Sequence, residues 1–196
     1  MASKQIIFSS HNEGKIKEIR ALLSPLGLDV LSAQDIDLAE VIETGLTFEE
    51  NAKIKALTAA KAAGIPALAD DSGLCIHALD NKPGIYSSRY AQKMGGYPAA
   101  FADILKRLEN NPDKTAHFIC VSVFAFPNGE TKTFEGRVDG KIVRPRNGEN
   151  GFGFDPIFMP DGFTQSFAEL SEIKKNTISH RGKAVKAFIE YLKENF

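Results

Sequence analysis

Two adjacent carboxylates, Asp70 and Asp71, directly follow the apolar run Ala67-Leu68-Ala69 and precede Ser72-Gly73. The run is typical of a short buried strand, and the carboxyl end of a strand is where α/β proteins commonly place functional groups. Carboxylate oxygens suit Mg²⁺, which takes one or two protein carboxylates together with substrate phosphates. The pattern therefore indicates a base or a metal ligand, and its alternative is an acidic turn in which Asp70 caps backbone donors and the glycine provides the bend.

A polar loop, Ser10-His11-Asn12-Glu13-Gly14-Lys15, lies between the apolar run Gln5 to Phe8 and a segment with apolar residues at helical spacing. This order places the loop at a helix N-terminus, where free backbone N–H groups and the helix dipole favour a phosphate. The loop is not a Walker A motif, because Ser9 and Ile16 stand where that motif has its first glycine and its hydroxyl residue. It is either a phosphate site or an ordinary helix start with a solvated lysine.

A capping box predicts the next helix. In Thr47-Phe48-Glu49-Glu50 the hydroxyl and the carboxylate three residues later satisfy each other's backbone N–H groups, and Gly64 ends the alanine-rich segment that follows. Asn51 and Lys55 lie four residues apart and share one helical face, so both can point into a site. Glu43, in the preceding acidic loop, is a further candidate metal ligand. The alternatives are a surface lysine and a solvated acid.

Two later segments combine aromatic or cationic side chains. Gly151-Phe152-Gly153-Phe154-Asp155-Pro156 interleaves rings with glycines, a composition that can lay a ring against a nucleobase, although such rings more often pack in a core. Lys175 and Ser179-His180-Arg181 precede the final apolar periodicity. Cations near a helix N-terminus oppose its dipole, so an anionic ligand would offset that cost. The alternative is a solvated basic face.

The order of predicted elements gives the fold class. Strand and helix patterns alternate early, and a hairpin over His117 to Val138 follows with its turn at Pro127-Asn128-Gly129. Residues 144–153 are predicted to be a loop, Phe154 to Met159 extended, and the last helix follows Arg181. We therefore predict an α/β fold with a mixed sheet flanked by helices.

Composition excludes several classes of protein. The hydrophobic share is 43% and the charged share 25%, as in ordinary folded domains, and a single domain over residues 1–196 is the default prediction. The net charge of −1 provides no electrostatic footprint for nucleic acid. No apolar run approaches the roughly 20 residues that span a bilayer, so we predict a cytoplasmic protein. Cys75 and Cys120 lie in apolar runs and are predicted to be buried free thiols.

The motifs in their order along the chain resemble one family. They are Ser10-x-Asn12-x-x-Lys15, Glu43-Thr44-Gly45-x-Thr47-Phe48-x-Glu50-Asn51-Ala52, Asp70-Asp71-Ser72-Gly73-Leu74, Pro83-Gly84-Ile85-Tyr86-Ser87-x-Arg89-Tyr90, Gly151-Phe152-Gly153-Phe154-Asp155-Pro156 and Ser179-His180-Arg181. Together they resemble the Ham1-like non-canonical purine nucleoside triphosphate pyrophosphatases, which include the inosine triphosphatases. The resemblance covers essentially the whole chain. It implies an elongated α/β fold with two lobes enclosing a cleft, a homodimer, and Mg²⁺ as cofactor.

The resemblance also implies a role for each matching residue. Asp71 is expected to accept a proton and, with Glu43, to hold Mg²⁺. The residues expected to bind the nucleoside triphosphate are Ser10, His11, Asn12, Glu13, Gly14, Lys15 and Lys55 for its phosphates, and Phe152, Gly153, Phe154, Asp155, Lys175, His180 and Arg181 for its base and sugar. Ser72 is also expected to bind the substrate. The implied reaction releases pyrophosphate from dITP, ITP or XTP.

Two other functions stay open on sequence grounds. A pyrophosphatase for modified pyrimidine nucleotides, like those of the similarly folded Maf-like group, would have a smaller pocket around Phe152 and Phe154. A nucleotide sensor would bind the same ligand without turnover. A nucleic-acid-binding module is disfavoured by the neutral charge and the absence of a basic stripe, and no membrane partner is expected.

Overall fold

The computed structural model describes residues 5–148 and 150–195. The strands are β1 (Gln5–Phe8), β2 (Asp29–Ser32), β3 (Ala67–Ile76), β4 (Lys82–Pro83), β5 (Thr115–Ala125), β6 (Thr131–Ile142) and β7 (Phe158–Pro160). The α-helices are α1 (Glu13–Leu23), α2 (Phe48–Ala63), α3 (Ser87–Met94), α4 (Tyr97–Arg107), α5 (Glu172–Ile178) and α6 (His180–Asn195). Short 3₁₀ turns connect several of them.

The strands form one mixed sheet, in the order β2-β1-β3-β5-β6-β7, with β4 paired to β3. Strand β1 lies between β2 and β3 and runs parallel to both. By contrast, β4 is antiparallel to β3 and β7 is antiparallel to β6. The predicted α/β class and mixed sheet are confirmed.

Helix α2 begins and ends where its sequence predicts. Thr47 is the N-cap, its side chain accepts from the Glu50 backbone N–H, and the reciprocal bond of the capping box is present. Gly64 ends the helix with φ of 70°, a left-handed conformation that glycine adopts without a steric cost. The buried face consists of small side chains, Asn51, Ala52, Ala56, Ala59 and Ala60. Small residues let the helix lie close to its neighbours.

The prediction that a strand ends at Asp70 is wrong. Strand β3 continues through ten residues to Ile76, and nine of the ten are buried. Gly73 serves close packing instead of a bend, because a Cβ there would lie 2.1 Å from the carbonyl oxygen of Gly84. Local turn signals in Asp-Asp-Ser-Gly are overridden by burial in the sheet. Both carboxylates therefore belong to a continuous strand.

Other boundaries also differ from prediction. The stretch Phe154 to Met159 is not uniformly extended, since Asp155–Ile157 form a 3₁₀ turn before β7. Helix α6 begins at His180 instead of after Arg181, so both cationic residues lie in its first turn. Helices α3 and α5 were not predicted, because both are short.

By their contacts, the residues divide into two compact units. The first unit contains the described parts of Met1–Asp71, Cys120–Gly136 and Arg181–Phe196. One apolar cluster joins β1, α1 and α6, including Phe8, Ile19 and Phe188. A second cluster packs the alanine face of α2 against Ile7 and Val123.

The second unit contains Ser72–Ile119 and Arg137–His180. Its core is rich in aromatic side chains, with the rings of Phe118 and Phe158 4.8 Å apart in an edge-on contact. Cys75 in this unit and Cys120 in the first unit are buried free thiols, as predicted. Within residues 5–148 and 150–195, no helix combines the length and hydropathy that crossing a bilayer requires.

Candidate active site

Strand β3 places its two carboxylates in different surroundings. Successive side chains of a strand point to opposite faces of the sheet. Asp70 accepts hydrogen bonds from Lys15 Nζ at 3.0 Å and from Arg181 Nε and Nη2 at 3.0 and 2.8 Å. Asp71 accepts from Asn51 Nδ2 at 3.1 Å. The two neighbouring carboxylates thus accept these hydrogen bonds from different residues.

Asp70 is the centre of a buried ion cluster in the first unit. Its side chain is 1% exposed and that of Arg181 is 2% exposed. Burial opposes ionisation of Asp70, but the Lys15 ammonium and the Arg181 guanidinium outweigh it and lower the pKa of the carboxyl. Arg181 Nη1 also donates to Glu18 Oε2 at 2.5 Å. Two cations and two carboxylates therefore balance one another.

The predicted phosphate loop forms the start of α1. Asn12 is the N-cap, and its Oδ1 accepts from the Lys15 backbone N–H at 3.0 Å. The Asn12 N–H donates to Ser10 Oγ at 3.1 Å, and His11 Nε2 lies 2.9 Å from the Leu38 carbonyl oxygen. Glu13, Gly14 and Lys15 form the first helical turn. The loop thus lies at a helix N-terminus, beside the Lys15 ammonium, as expected for an anion site.

Asp71 lies in a second group of charges on the first unit. Burial raises the pKa of Asp71, as does nearby Glu43, whereas Lys55 and Lys15 oppose that rise. Lys55 Nζ donates to Glu43 Oε1 at 2.5 Å. Burial disfavours the charge of Lys55, but Asp71 and Glu43 outweigh it and raise the pKa of the ammonium. The sequence prediction brought together Glu43, Lys55 and Asp71, and the structure does so too.

The donor set of this group fits Mg²⁺. Within the residues that the structure describes, no cluster of three or more His, Cys, Asp or Glu side chains could hold a metal ion. Mg²⁺ does not need such a cluster, because it takes one or two carboxylates and fills its other positions with waters and phosphates. Glu43 raises the pKa of Asp71 because the two negative charges repel each other, and a bound Mg²⁺ would offset this repulsion.

A buried ion pair dominates the predicted base-binding residues of the second unit. Lys175 Nζ and Asp155 Oδ2 are 2.7 Å apart, and both side chains are 4% exposed. Asp155 Oδ2 also accepts from the Phe152 backbone N–H at 2.7 Å. The Lys175 ammonium lies 4.7 Å from the centroid of the Phe152 ring. A Cβ on Gly151 would lie 2.6 Å from Asp155 Oδ2, so this turn requires glycine.

The remaining aromatic residues of this set differ in exposure. Phe152 is half-buried, whereas Phe154 is buried against Tyr97 and Phe101. Phe152 is therefore the better placed ring for a ligand, and Phe154 fills the core. His180 is buried and stacks on Phe118, with ring centroids 4.6 Å apart and planes 9° apart.

The residues of the predicted cationic group are divided between the two units. Lys175 and His180 belong to the second unit, whereas Arg181 belongs to the first and binds Asp70. The alternative of a solvated basic face is wrong, because Lys175, His180 and Arg181 are 3%, 5% and 2% exposed. Ser72 is half-buried in β3, where it directly follows Asp71, the predicted base.

Sequence reasoning missed one acid, Glu18, and two pairings of residues that it had singled out. Glu18 was not considered, although it lies three residues after Lys15 and hence on the same face of α1. The pairing of Asp70 with Arg181 left no local signal, since 111 residues separate them. Asn51 was singled out only for its spacing to Lys55, and its bond to Asp71 was not predicted.

The chain is similar to known proteins over nearly all of its length. The chain is 46% identical over 185 residues to a dITP/XTP pyrophosphatase of Gluconobacter oxydans, covering 94% of this chain and 89% of the relative. It is 43% identical over 205 residues to a dITP/XTP pyrophosphatase of Agrobacterium fabrum, covering 96% and 95%.

Solved structures extend the agreement to the fold. A HAM1 protein from Coxiella burnetii matches with a TM-score of 0.88 and 41% identity over 97% of this chain and 99% of that protein. The Staphylococcus aureus Ham1 protein matches with a TM-score of 0.86 and 40% identity over 98% and 100%. The sequence profile of the Ham1 family matches residues 6–191. From its motifs, its fold and these matches, the chain belongs to the Ham1 family.

Proposed function

We propose that this protein hydrolyses non-canonical purine nucleoside triphosphates, namely dITP, ITP and XTP, to the monophosphate and pyrophosphate. The reaction removes these nucleotides before they are incorporated into DNA and RNA. The observation that carries the proposal is the pairing of two acids, Glu43 and Asp71, with Lys55 in one charge group. Relatives more than 40% identical that carry the name dITP/XTP pyrophosphatase support the substrate class.

The first unit supplies the groups for phosphoryl chemistry. The α1 N-terminus with Ser10 and Asn12, together with Lys15 and Lys55, binds the triphosphate and offsets charge on its oxygens. Each lysine is already held by a carboxylate, Lys15 by Asp70 and Lys55 by Glu43, so little reorganisation is needed. Ser72, next to Asp71 in sequence, is a further substrate-binding residue in this proposal.

Asp71 is the proton acceptor in this proposal. It orients a water and accepts its proton as the water oxygen forms a bond to the α-phosphorus. The bond from the α-phosphorus to the bridging oxygen breaks, and pyrophosphate leaves with that oxygen. Glu43 and Asp71 would hold Mg²⁺, which when bound neutralises phosphate charge and stabilises the leaving group.

The second unit supplies recognition of the base and sugar. Phe152 offers a partly exposed ring, and Lys175 with Asp155 fixes its loop. His180 and the backbone N–H groups of Gly153 and Phe154 are the donors assigned to the 6-oxo group of the base, since the Phe152 N–H is already donated to Asp155. Adenine presents an amino donor at that position and would leave a buried donor unpaired, which disfavours it.

Assembly and location complete the proposal. The protein acts as a homodimer in the cytoplasm, where the nucleotide pool is found, and needs neither nucleic acid nor a membrane as partner. Size-exclusion chromatography with light scattering tests the dimer directly. A mass of one chain would contradict it.

The decisive test is chromatographic product analysis. The purified protein with Mg²⁺ is incubated in parallel with ITP, dITP, XTP, ATP, GTP and dTTP, with Asp71→Asn as control. Monophosphate and pyrophosphate from the first three substrates, at rates far above the others and lost in the variant, are expected. Diphosphate products or equal use of all six substrates would refute the proposal. Binding without turnover would identify a sensor.

A further inference from the structure

A buried side-chain amide joins Asp71 to the backbone of the loop that carries Glu43. Asn51, on α2, is 0% exposed. Its Nδ2 donates to Asp71 Oδ2 at 3.1 Å, and its Oδ1 accepts from the Gly45 backbone N–H at 2.8 Å. A fully buried amide is costly unless it is hydrogen-bonded, and here both ends of the group are used.

The network determines the orientation of the amide. A backbone N–H can only donate, so the atom that faces Gly45 must be the amide oxygen. The amide nitrogen must then face Asp71, whose carboxylate oxygens accept hydrogen bonds. Aspartate cannot replace this asymmetric group, because it lacks the donor. Leucine, of similar volume, offers neither end.

The amide also fastens the loop that carries Glu43. Gly45 follows Glu43 by two residues and is pressed against α2, since a Cβ there would lie 2.6 Å from Glu50 Cβ and 2.7 Å from Asn51 Oδ1. One helical turn after Asn51, Lys55 pairs directly with Glu43. The same face of α2 therefore holds this loop at two points.

From this geometry we propose that Asn51 is a positioning residue that sets the placement of Asp71 and of the Glu43 loop together, and thereby the Mg²⁺ site. The proposal rests on the function proposed above. Groups that orient metal ligands without touching the metal commonly change metal affinity or activity by about 10- to 100-fold when they are removed. Asn51 acts through Asp71 and Glu43.

Two variants separate the ends of the amide. Asn51→Leu removes both hydrogen bonds, whereas Asn51→Asp keeps the acceptor for Gly45 and loses the donor to Asp71. We expect both to lower kcat for dITP at least tenfold at saturating Mg²⁺, with KM changed less than threefold. Asn51→Asp keeps the experiment decisive if Asn51→Leu does not fold.

A matched control removes the effect of lost helix stability. Ala59 lies on the same buried face of α2, two turns further on, and Ala59→Gly weakens the helix without touching either carboxylate. We expect its kcat within twofold of wild type. Equal losses of kcat in Ala59→Gly and Asn51→Leu would overturn the proposal, as would an Asn51→Asp variant with wild-type kcat.

Calorimetric titration with MgCl₂ alone gives a readout that does not depend on turnover. We expect Asn51→Leu to bind Mg²⁺ about 10- to 100-fold more weakly than wild type. Equal binding by both chains, or no binding by wild type, would overturn the positioning role. A wild-type chain that binds Mg²⁺ but does not hydrolyse dITP would refute the proposed function alone.

Discussion

The Lys175–Asp155 pair offers a direct test of the energetics of the second unit. Its atoms are 2.7 Å apart and both side chains are 4% exposed. Removing one partner of a buried pair leaves an uncompensated charge and costs about 3–5 kcal/mol. We expect Lys175→Met and Asp155→Asn each to lower the free energy of unfolding by about that amount. In a chain of this length, that corresponds to a fall in Tm of about 6–20 °C.

The double variant distinguishes pairing from packing. When both charges are removed together, the desolvation cost disappears with the attraction, so such replacements are often neutral or stabilising. The double variant Lys175→Met, Asp155→Asn should therefore lie within about 2 kcal/mol of wild type, which is a coupling of at least ~4 kcal/mol. Asparagine can still accept from the Phe152 N–H, which preserves the turn.

Urea unfolding followed by circular dichroism measures all four chains, and it suits a protein without tryptophan. Free energies from variants with equal m-values are directly comparable. Losses below about 1 kcal/mol in both single variants, or losses that simply add in the double variant, would refute the reasoning. The pair would then contribute no more than an exposed salt bridge.

Further predictions concern stability and pH. Gly73→Ala forces a Cβ to within 2.1 Å of the Gly84 carbonyl oxygen, so urea unfolding should show a loss of about 3 kcal/mol; a loss below 0.5 kcal/mol would contradict the packing role. Thr47→Ala removes the N-cap of α2 and should lower the free energy of unfolding by about 1 kcal/mol in the same assay. A value equal to that of wild type, as for a neutral surface change, would contradict the capping role. Burial, with Arg137 and His77, lowers the pKa of His117, so the unfolded chain binds this proton more readily. The free energy of unfolding should therefore fall as pH decreases below about 6.5. Between about pH 8 and pH 5, Tm should fall less in His117→Asn than in wild type. An equal fall in both chains would refute the role of His117.

Where local chemistry determines an element, the sequence predicted it. Helix α2 carries both of its boundary signals within its own residues, Thr47 with Glu50 at the start and Gly64 at the end. The spacing of Asn51 and Lys55 then placed both side chains on one face, because helical periodicity alone determines that relation. The position of the predicted phosphate loop before α1 was correct for the same reason, since Asn12 caps the helix that follows directly.

Where distant residues determine the outcome, prediction from a single sequence failed. The Ser72-Gly73 pair has the composition of a turn, yet β3 continues through it, and Gly73 packs closely against the Gly84 carbonyl. The pairing of Asp70 with Arg181 was not predicted, because no residue near either of them indicates it. Long-range ion pairs depend on the topology of the sheet, which the local patterns did not specify.

The continuous strand explains how two identical neighbours acquire different properties. In a turn, Asp70 and Asp71 would share one environment and repel each other. In β3 they point to opposite faces, so Asp70 receives Lys15 and Arg181, and its pKa is lowered, whereas burial and Glu43 raise the pKa of Asp71. The guanidinium of Arg181 and the ammonium of Lys15 occupy the oxygens of Asp70, so this carboxylate is not available for the proton-acceptor role that we propose for Asp71. Because β3 is a continuous strand and not a turn, Asp70 and Asp71 have different partners and pKa values shifted in opposite directions.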